Sequence, residues 1–347
     1  MSPVDQQDLR EIMSGRRRGV GAALLRASAW PASRLYGAAV GLRRGLYRVG
    51  VLRGRRVEAP VISVGNITTG GTGKTPMVVW VVERLRALGR RPAVLLRGYK
   101  ARDGRSDEAE LLWNRTGAAV VADPDRAAAA AAAVDAGADA LVLDDGFQHL
   151  RLRRDLDIVL IDATCPFGYG HPLPRGMLRE RPAALRDAHA VVVTRADLVD
   201  PEALGALRRR IRRLAPNASL HEAGHVPSAV VVRAGRHLPP AALAGKRVCA
   251  FCGIGNPEAF FASLAAAGAE VVARVAFDDH TAYGPAEAAR IAEAVGDAEV
   301  LVTTAKDRVK IDQPADLPAP LWTVQIEIGL TAGEAELLEK IRGAIGT

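Results

Sequence analysis

Residues 61–76 read VISVGNITTGGTGKTP, and this stretch restricts the fold of everything around it. A β-branched apolar run is followed by a turn holding Gly70, Gly71 and Gly73, and then by Lys74 and Thr75 at the head of a helical pattern. Strand, glycine-rich turn and helix in that order make a P-loop. Glycines let successive backbone N–H groups bend around phosphate oxygens without Cβ clashes, and the helix N-terminus adds partial positive charge. Lys supplies a flexible cation and Thr a hydroxyl for Mg²⁺. Thr68 stands where the strict spacing GxxxxGK[ST] has its first glycine, so the loop is a double-glycine variant. Thr68, Thr69, Gly70, Gly71, Thr72, Gly73, Lys74 and Thr75 are its candidate nucleotide contacts. A strand of this kind needs parallel neighbours and helical cover, which predicts an α/β fold.

The rest of the chain supplies those neighbours. Pro76–Leu88 is periodic as a helix, Pro92–Leu96 is a second buried strand, and the Ala-rich run 127–136 is helical by propensity. Ala140–Leu143 is an apolar strand closed by Asp144 and Asp145. After a P-loop, a strand ending in acid is the place for carboxylates that hold Mg²⁺ directly or through water. Gln148 and His149 follow, able to reach phosphate or substrate. Further strands are expected at Ile158–Ile161 and Ala190–Val193, with a Gly- and Pro-rich loop between them suited to a substrate wall. A second α/β unit begins at Arg247, with helix 259–267, strand Val271–Ala276 running into Asp278, Asp279 and His280, and strand Glu299–Thr304. The expected division is a basic N-terminal region over 1–58, a P-loop core over 59–222, and a smaller α/β domain with linker strands over 223–347.

Charge is informative once it is located. Residues 1–60 hold twelve Arg, no Lys and four acids, an excess of eight that equals the formal net charge of the whole 347-residue chain. An anionic partner is therefore expected at the N-terminal end. There, Leu35, Ala39, Leu42, Leu46 and Val49 form a stripe at helical spacing, with Arg34, Arg44 and Arg48 opposite, and Trp30, Tyr36 and Tyr47 are suited to the headgroup depth of a membrane. The pattern suits a helix lying on an anionic membrane surface as well as one packed on the core. It contains no uncharged run long enough to span a bilayer, and no aromatic platform that would suit nucleic acid. Three cysteines give no disulfide framework, and no secretory leader is visible, so reducing cytoplasm is expected. Cys249 and Cys252 form a lone CxxC inside an apolar strand and are expected to be buried there.

One rival pattern remains at this level. Thr194–Leu198 reads TRADL, which resembles the [NT]KxD segment by which GTPases read guanine, with Arg195 in place of the Lys. A GTPase, or a membrane-recruited regulatory NTPase, accommodates the P-loop as well as a kinase does.

Seven ordered segments go further: SVGNITTGGTGKTP (63–76), RGY with a following Asp-Glu (97–108), DDGFQH (144–149), LPRGMLRE (173–180), CGIGNP (252–257), DDHTAYG (278–284) and TTAKDRVK (303–310). In this the chain resembles the tetraacyldisaccharide 4'-kinases, the ATP-dependent lipid A 4'-kinases of Gram-negative bacteria. The resemblance implies two α/β/α sandwich domains joined by two strands, with an N-terminal amphipathic helix at the cytoplasmic face of the inner membrane. It implies ATP and Mg²⁺ as cofactors and an acylated glucosamine disaccharide 1-phosphate as acceptor, with no nucleic acid and no obligate protein partner. Carried over by position, Lys74 binds the β- and γ-phosphates, Thr75, Asp144 and Asp145 serve the metal, and Asp107 paired with His280 is the catalytic base. Glu108, Gln148 and His149 are secondary nucleotide contacts, and Asp103 is the nearest substitute for Asp107 as the base.

Overall fold

The computed structural model describes residues 6–98, 107–232, 235–278, 281–311 and 317–346, with the side chains of 6–8 and 107 excepted. The chain divides into two compact units, 1–99 with 116–224 and 330–347, and 100–115 with 225–329. The helix opened by Asp107 groups with the second unit, and the C-terminal helix groups with the first.

In the first unit, α1 (Gln6–Ser14) and α2 (Val20–Arg48) precede β1 (Val61–Asn66) and α3 (Lys74–Ala87). Then follow β2 (Pro92–Leu96), α4 (Asp107–Thr116, mostly in the second unit), β3 (Ala119–Ala122) and α5 (Arg126–Asp135). After these come β4 (Ala140–Asp144), β5 (Leu156–Asp162), β6 (Ala190–Thr194), α6 (Pro201–Leu214) and the start of β7 (Ser219–Val231). The strands run in the order β7-β6-β5-β1-β4-β2-β3, and each pairing is parallel. Every residue of β1, β2, β4, β5 and β6 is buried, which requires helical cover on both faces. Ala129, Ala130 and Ala133 of α5 pack on Val61, Leu95 and Leu141. Leu204, Leu207 and Ile211 of α6 pack toward Val159, Ile161, Val191 and Val193. β1 lies between β4 and β5, where the strand order reverses, and the carboxyl end of such a strand is where α/β sheets bind ligands.

In the second unit the order β10-β9-β11-β12 comprises β9 (Arg247–Cys252), β10 (Glu270–Ala276), β11 (Val300–Thr304) and β12 (Leu321–Ala332), all parallel. Its helices are α7 (Pro257–Ala266), α8 (Pro285–Ala294) and the short α9 (Ala305–Arg308). A two-residue β8 (His237–Leu238) pairs antiparallel with β7. The segment expected as short alternating strands, 217–236, is instead one long β7. Cys249 and Cys252 are fully buried, as their apolar strand requires. The last helix, α10 (Glu334–Ile345), buries Leu337, Ile341 and Ile345, and the first unit anchors it through Arg90, which donates to the Ile345 carbonyl at 2.7 Å.

The N-terminal helix departs from the usual amphipathic arrangement. Its buried residues are Ala22, Ser33, Gly37 and Arg44, whereas Leu35 and Val49 are more than 70% exposed and Leu42 is 66% exposed. The apolar stripe faces outward. Small residues allow the opposite face to pack closely: the Ser33 hydroxyl donates to the Pro172 carbonyl at 2.7 Å, and a Cβ on Gly37 would lie 3.1 Å from the Pro172 ring. Arg44, expected among the solvent-side arginines, is buried. A fully extended stripe assignment from periodicity cannot tell which face the protein covers.

Candidate active site

Four strand ends meet at one edge of the first unit's sheet: Asn66 of β1, Asp144 of β4, Asp162 of β5 and Thr194 of β6. The phosphate loop leaves β1 there. Gly73 caps α3 in a left-handed conformation (φ 89°) and offers no side-chain cap to the first helical turn, so those N–H groups face the loop's concavity as an anion site. Behind the loop, the Asn66 amide donates to the Thr72 hydroxyl at 2.9 Å and the Thr194 hydroxyl donates to the Thr72 carbonyl at 3.0 Å. Arg195 donates to the Gly71 carbonyl at 2.9 Å and pairs with the Asp162 carboxylate. On the other side, Thr69 N–H donates to the Met177 carbonyl at 2.7 Å, and Thr68 bridges Leu178. The loop is thus fixed along both flanks.

The acidic pair follows β4. Asp144 is buried at the strand end, and Asp145 turns into the left-handed region at φ 53°. That turn aims its carboxylate at two cations. Oδ1 lies 3.5 Å from Lys74 Nζ, and Oδ2 accepts from Arg179 at 2.6 Å. Burial pushes the Asp145 carboxyl up, but Lys74 and Arg179 outweigh it and hold it below the usual carboxylate range. Arg126, from the start of α5, reaches the Asp144 carbonyl at 3.4 Å. Burial lowers its guanidinium to about 10 against the pull of Asp144 and Asp145.

The turn after the acids is built against β1 with no spare room. A Cβ on Gly65 would lie 2.6 Å from the Phe147 Cβ, so this strand position admits only glycine. Gln148 donates to the Asn66 carbonyl at 2.8 Å. It therefore stands beside the loop, occupied by the backbone. His149 is pushed down to about 4, first by burial and then by Arg126, Arg154, Arg43 and Arg151, which keeps its imidazole neutral near pH 7.

Among the sequence candidates, the structure gathers Thr68 to Thr75, Asp144, Asp145, Gln148 and His149 at this edge. Glu108 follows the first residue of α4 and is half-buried in the second unit. The Asp107 side chain, Asp103, Asp279 and His280 lie outside the described residues. Arg179, Arg126 and Arg195 were not among the sequence candidates for the site, although Arg179 lies in the LPRGMLRE segment. Asp144, Asp145 and Thr75 offer hard oxygen donors without Cys or His, a set that fits Mg²⁺ and not a softer metal.

The comparisons with known proteins agree over nearly the whole chain. A family model described as Tetraacyldisaccharide-1-P 4'-kinase matches residues 25–345. A tetraacyldisaccharide 4'-kinase of Anaeromyxobacter sp. (strain Fw109-5) is 44% identical, covering 97% of this chain and 96% of its own length. One from Geobacter sulfurreducens is 38% identical over 92% of this chain and 94% of its own. Among solved structures, LpxK from Aquifex aeolicus in complex with ATP aligns with a TM-score of 0.72 at 26% identity, covering 92% of this chain and 99% of that one.

Proposed function

Because the chain belongs to the tetraacyldisaccharide-1-P 4'-kinase family, we propose that it moves the γ-phosphoryl group of ATP onto the 4'-hydroxyl of a tetraacylated glucosamine disaccharide 1-phosphate, giving lipid IVA in lipid A biosynthesis. The observation that carries this reading is the convergence of Lys74 and Arg179 on Asp145 beside the phosphate loop. An acid held ionised between two cations, next to a P-loop, suits a site where negative charge shifts between phosphate oxygens.

On this reading the loop N–H groups and Lys74 hold the β- and γ-phosphates, and Arg179 neutralises charge on the transferring group. Asp144, Asp145 and Thr75 would hold Mg²⁺, which when bound would supply charge stabilisation on the phosphate oxygens. Asp107 accepts the proton of the 4'-hydroxyl as the new P–O bond forms and the bond to the β-phosphate oxygen breaks, releasing ADP. His280 orients and tunes that carboxylate. Glu108, Gln148 and His149 border the nucleotide. The regulatory NTPase and GTPase alternatives lose their sequence support: the chain's relatives are named kinases, and Arg195 of the TRADL segment is engaged with Asp162 and Gly71.

The enzyme is proposed to work peripherally at the cytoplasmic face of the inner membrane. Among the described residues no helix is long and apolar enough to cross a membrane. Leu24, Leu25, Trp30, Leu35 and Leu42 of α2 and Val49 just after it are exposed, and such a face gains free energy by entering the headgroup boundary. Transfer of labelled γ-phosphate from ATP to a tetraacyl disaccharide 1-phosphate in detergent micelles tests the function. Folded protein that transfers none overturns it. Within it, Asp107→Ala and His280→Ala each lower turnover by ~10²- to 10⁴-fold, the scale of a lost general base; near-normal turnover in both removes the dyad.

A further inference from the structure

We infer that Arg44 is a positioning residue for phosphoryl transfer, holding from helix α2 the two segments that present Asp145 and Arg179 to the phosphate loop. The inference rests on the kinase reading, in which those two side chains serve the transferred group.

Arg44 is 6% exposed and holds three partners at once. Its guanidinium lies 2.6 Å from Glu180 Oε2 and 2.8 Å from Asp187 Oδ2, and it donates to the Phe147 carbonyl at 3.0 Å. It also lies over the Phe147 ring, 4.4 Å from the centroid. Burial lowers the guanidinium's pKa, but Glu180 and Asp187 outweigh that and raise it, so the side chain stays charged. The neighbouring Arg43 donates to the Gln148 carbonyl at 3.0 Å.

Two of those partners lie beside the site along the chain. Phe147 is two residues from Asp145, and Glu180 adjoins Arg179. Both segments also hang on the same exit of β1: Gly146 N–H donates to the Val64 carbonyl at 3.2 Å, Arg179 N–H to the Ile67 carbonyl at 2.8 Å, and Glu180 N–H to Ile67 at 3.3 Å. The contacts close a ring. It runs from Arg44 to Glu180, through the chain to Arg179, across the ion pair to Asp145, and back through Gly146 and Phe147 to Arg44.

Simple attachment of a surface helix does not need this arrangement. A buried ion pair often contributes no more than apolar residues of similar volume, and its distinct contribution is directional. The guanidinium fork donates directionally to the Asp187 carboxylate and the Phe147 carbonyl and meets Glu180 as a close ion pair; an apolar side chain would pack there without setting those angles. The helix whose outer face carries the exposed apolar stripe is thereby fixed to the ion pair that faces the phosphate loop.

The test compares Arg44→Lys and Arg44→Met with wild type in detergent micelles, using the tetraacyl disaccharide 1-phosphate acceptor. Arg48→Gln is the control, since Arg48 pairs with Asp187 at the surface. The expected result is a kcat lowered about tenfold or more in Arg44→Lys and further in Arg44→Met, with the acceptor KM within about twofold. The thermal midpoint of Arg44→Lys should stay near that of wild type. A second readout needs no acceptor: the gain in affinity for a fluorescent ATP analogue on adding Mg²⁺ should shrink in Arg44→Lys. If Arg44→Met does not fold, Arg44→Lys decides alone. Normal kcat and an undiminished Mg²⁺ gain in Arg44→Lys overturn the inference. Should wild type transfer no phosphate, the kinase reading fails by itself, and the Mg²⁺ gain alone judges Arg44.

Discussion

The guanidinium of Arg195 donates to the Gly71 carbonyl at 2.9 Å while pairing with the Asp162 carboxylate, so a strand end two positions away in the sheet braces the phosphate loop from behind. Arg195 adopts a left-handed backbone (φ 54°) to do so. Its neighbour Thr194 adds a second brace through the Thr72 carbonyl. The loop's N–H groups can meet phosphate in a fixed array only if its carbonyls are held away from the ligand, and these two bonds hold them.

Replacing Arg195 with Ala leaves Asp162 buried without its cation. The expected loss is about 3–5 kcal/mol of stability, the scale for breaking a buried pair by removing one partner. A thermal melt reads it. Arg195→Lys keeps the charge but not the fork, so it should recover most of the stability while its KM for ATP remains raised. Equal KM values in wild type and Arg195→Lys would show that the brace does not order the loop.

Lys74 and Arg179 meet the two oxygens of one carboxylate, Asp145, so their losses should be coupled. Lys74→Met and Arg179→Met are each expected to lower kcat by ~10²- to 10³-fold, as for other preorganised charges at a transition state. Because the two share a partner, the double variant should lose less than the product of the single losses. Steady-state kinetics of the four proteins give the cycle directly, and strict multiplicativity would mean that they act independently.

His149 makes stability depend on pH. Its imidazole titrates at about 4 in the folded chain, through burial and four arginines, against about 6.5 when unfolded. Below the lower value both states bind the proton, and above the upper value neither does. Between them the unfolded chain binds more, so stability falls as pH drops from about 6.5 to about 4. The side chain is only half-buried, which reduces the effect to ~1–2 kcal/mol after solvent screening. His149→Gln should flatten the melting profile over that window, and an unchanged slope would assign the acid sensitivity elsewhere.

The core of this fold was legible in the sequence because it is local. The strand at Val61, the glycine turn, Lys74 and the acid-terminated strand at Asp144 are each fixed by neighbours in the chain, and the structure places them together as periodicity and loop chemistry required. Arg179, Arg126 and Arg195 were not legible as site residues, since their roles depend on partners 34, 18 and 33 residues away along the chain. Arg44 shows the same limit more sharply. In sequence it is one arginine among twelve near the N-terminus, and only the packing of α2 through Ser33 and Gly37 separates it from the exposed ones. The strands β3 and β12 escaped notice for a different reason. β3 is four residues long and partly exposed, and β12 alternates too weakly to stand out.

The outward stripe of α2 gives the last expectation. Leu35, Leu42 and Val49 contribute little to the folded core because they are already in solvent, so Leu35→Ser, Leu42→Ser and Val49→Ser together should leave the melting temperature nearly unchanged. In the headgroup boundary each such side chain contributes about 1 kcal/mol when partly immersed. The triple variant should therefore bind vesicles of anionic phospholipid roughly 10²-fold more weakly, measured by co-sedimentation. Arg34→Gln should weaken binding further at low salt and little at high salt, because an exposed charge is screened there. Transfer to acceptor dispersed in micelles should survive both changes, since the phosphate loop and its acids are untouched. Unaltered vesicle binding in the triple variant would place the membrane contact on another surface of the protein.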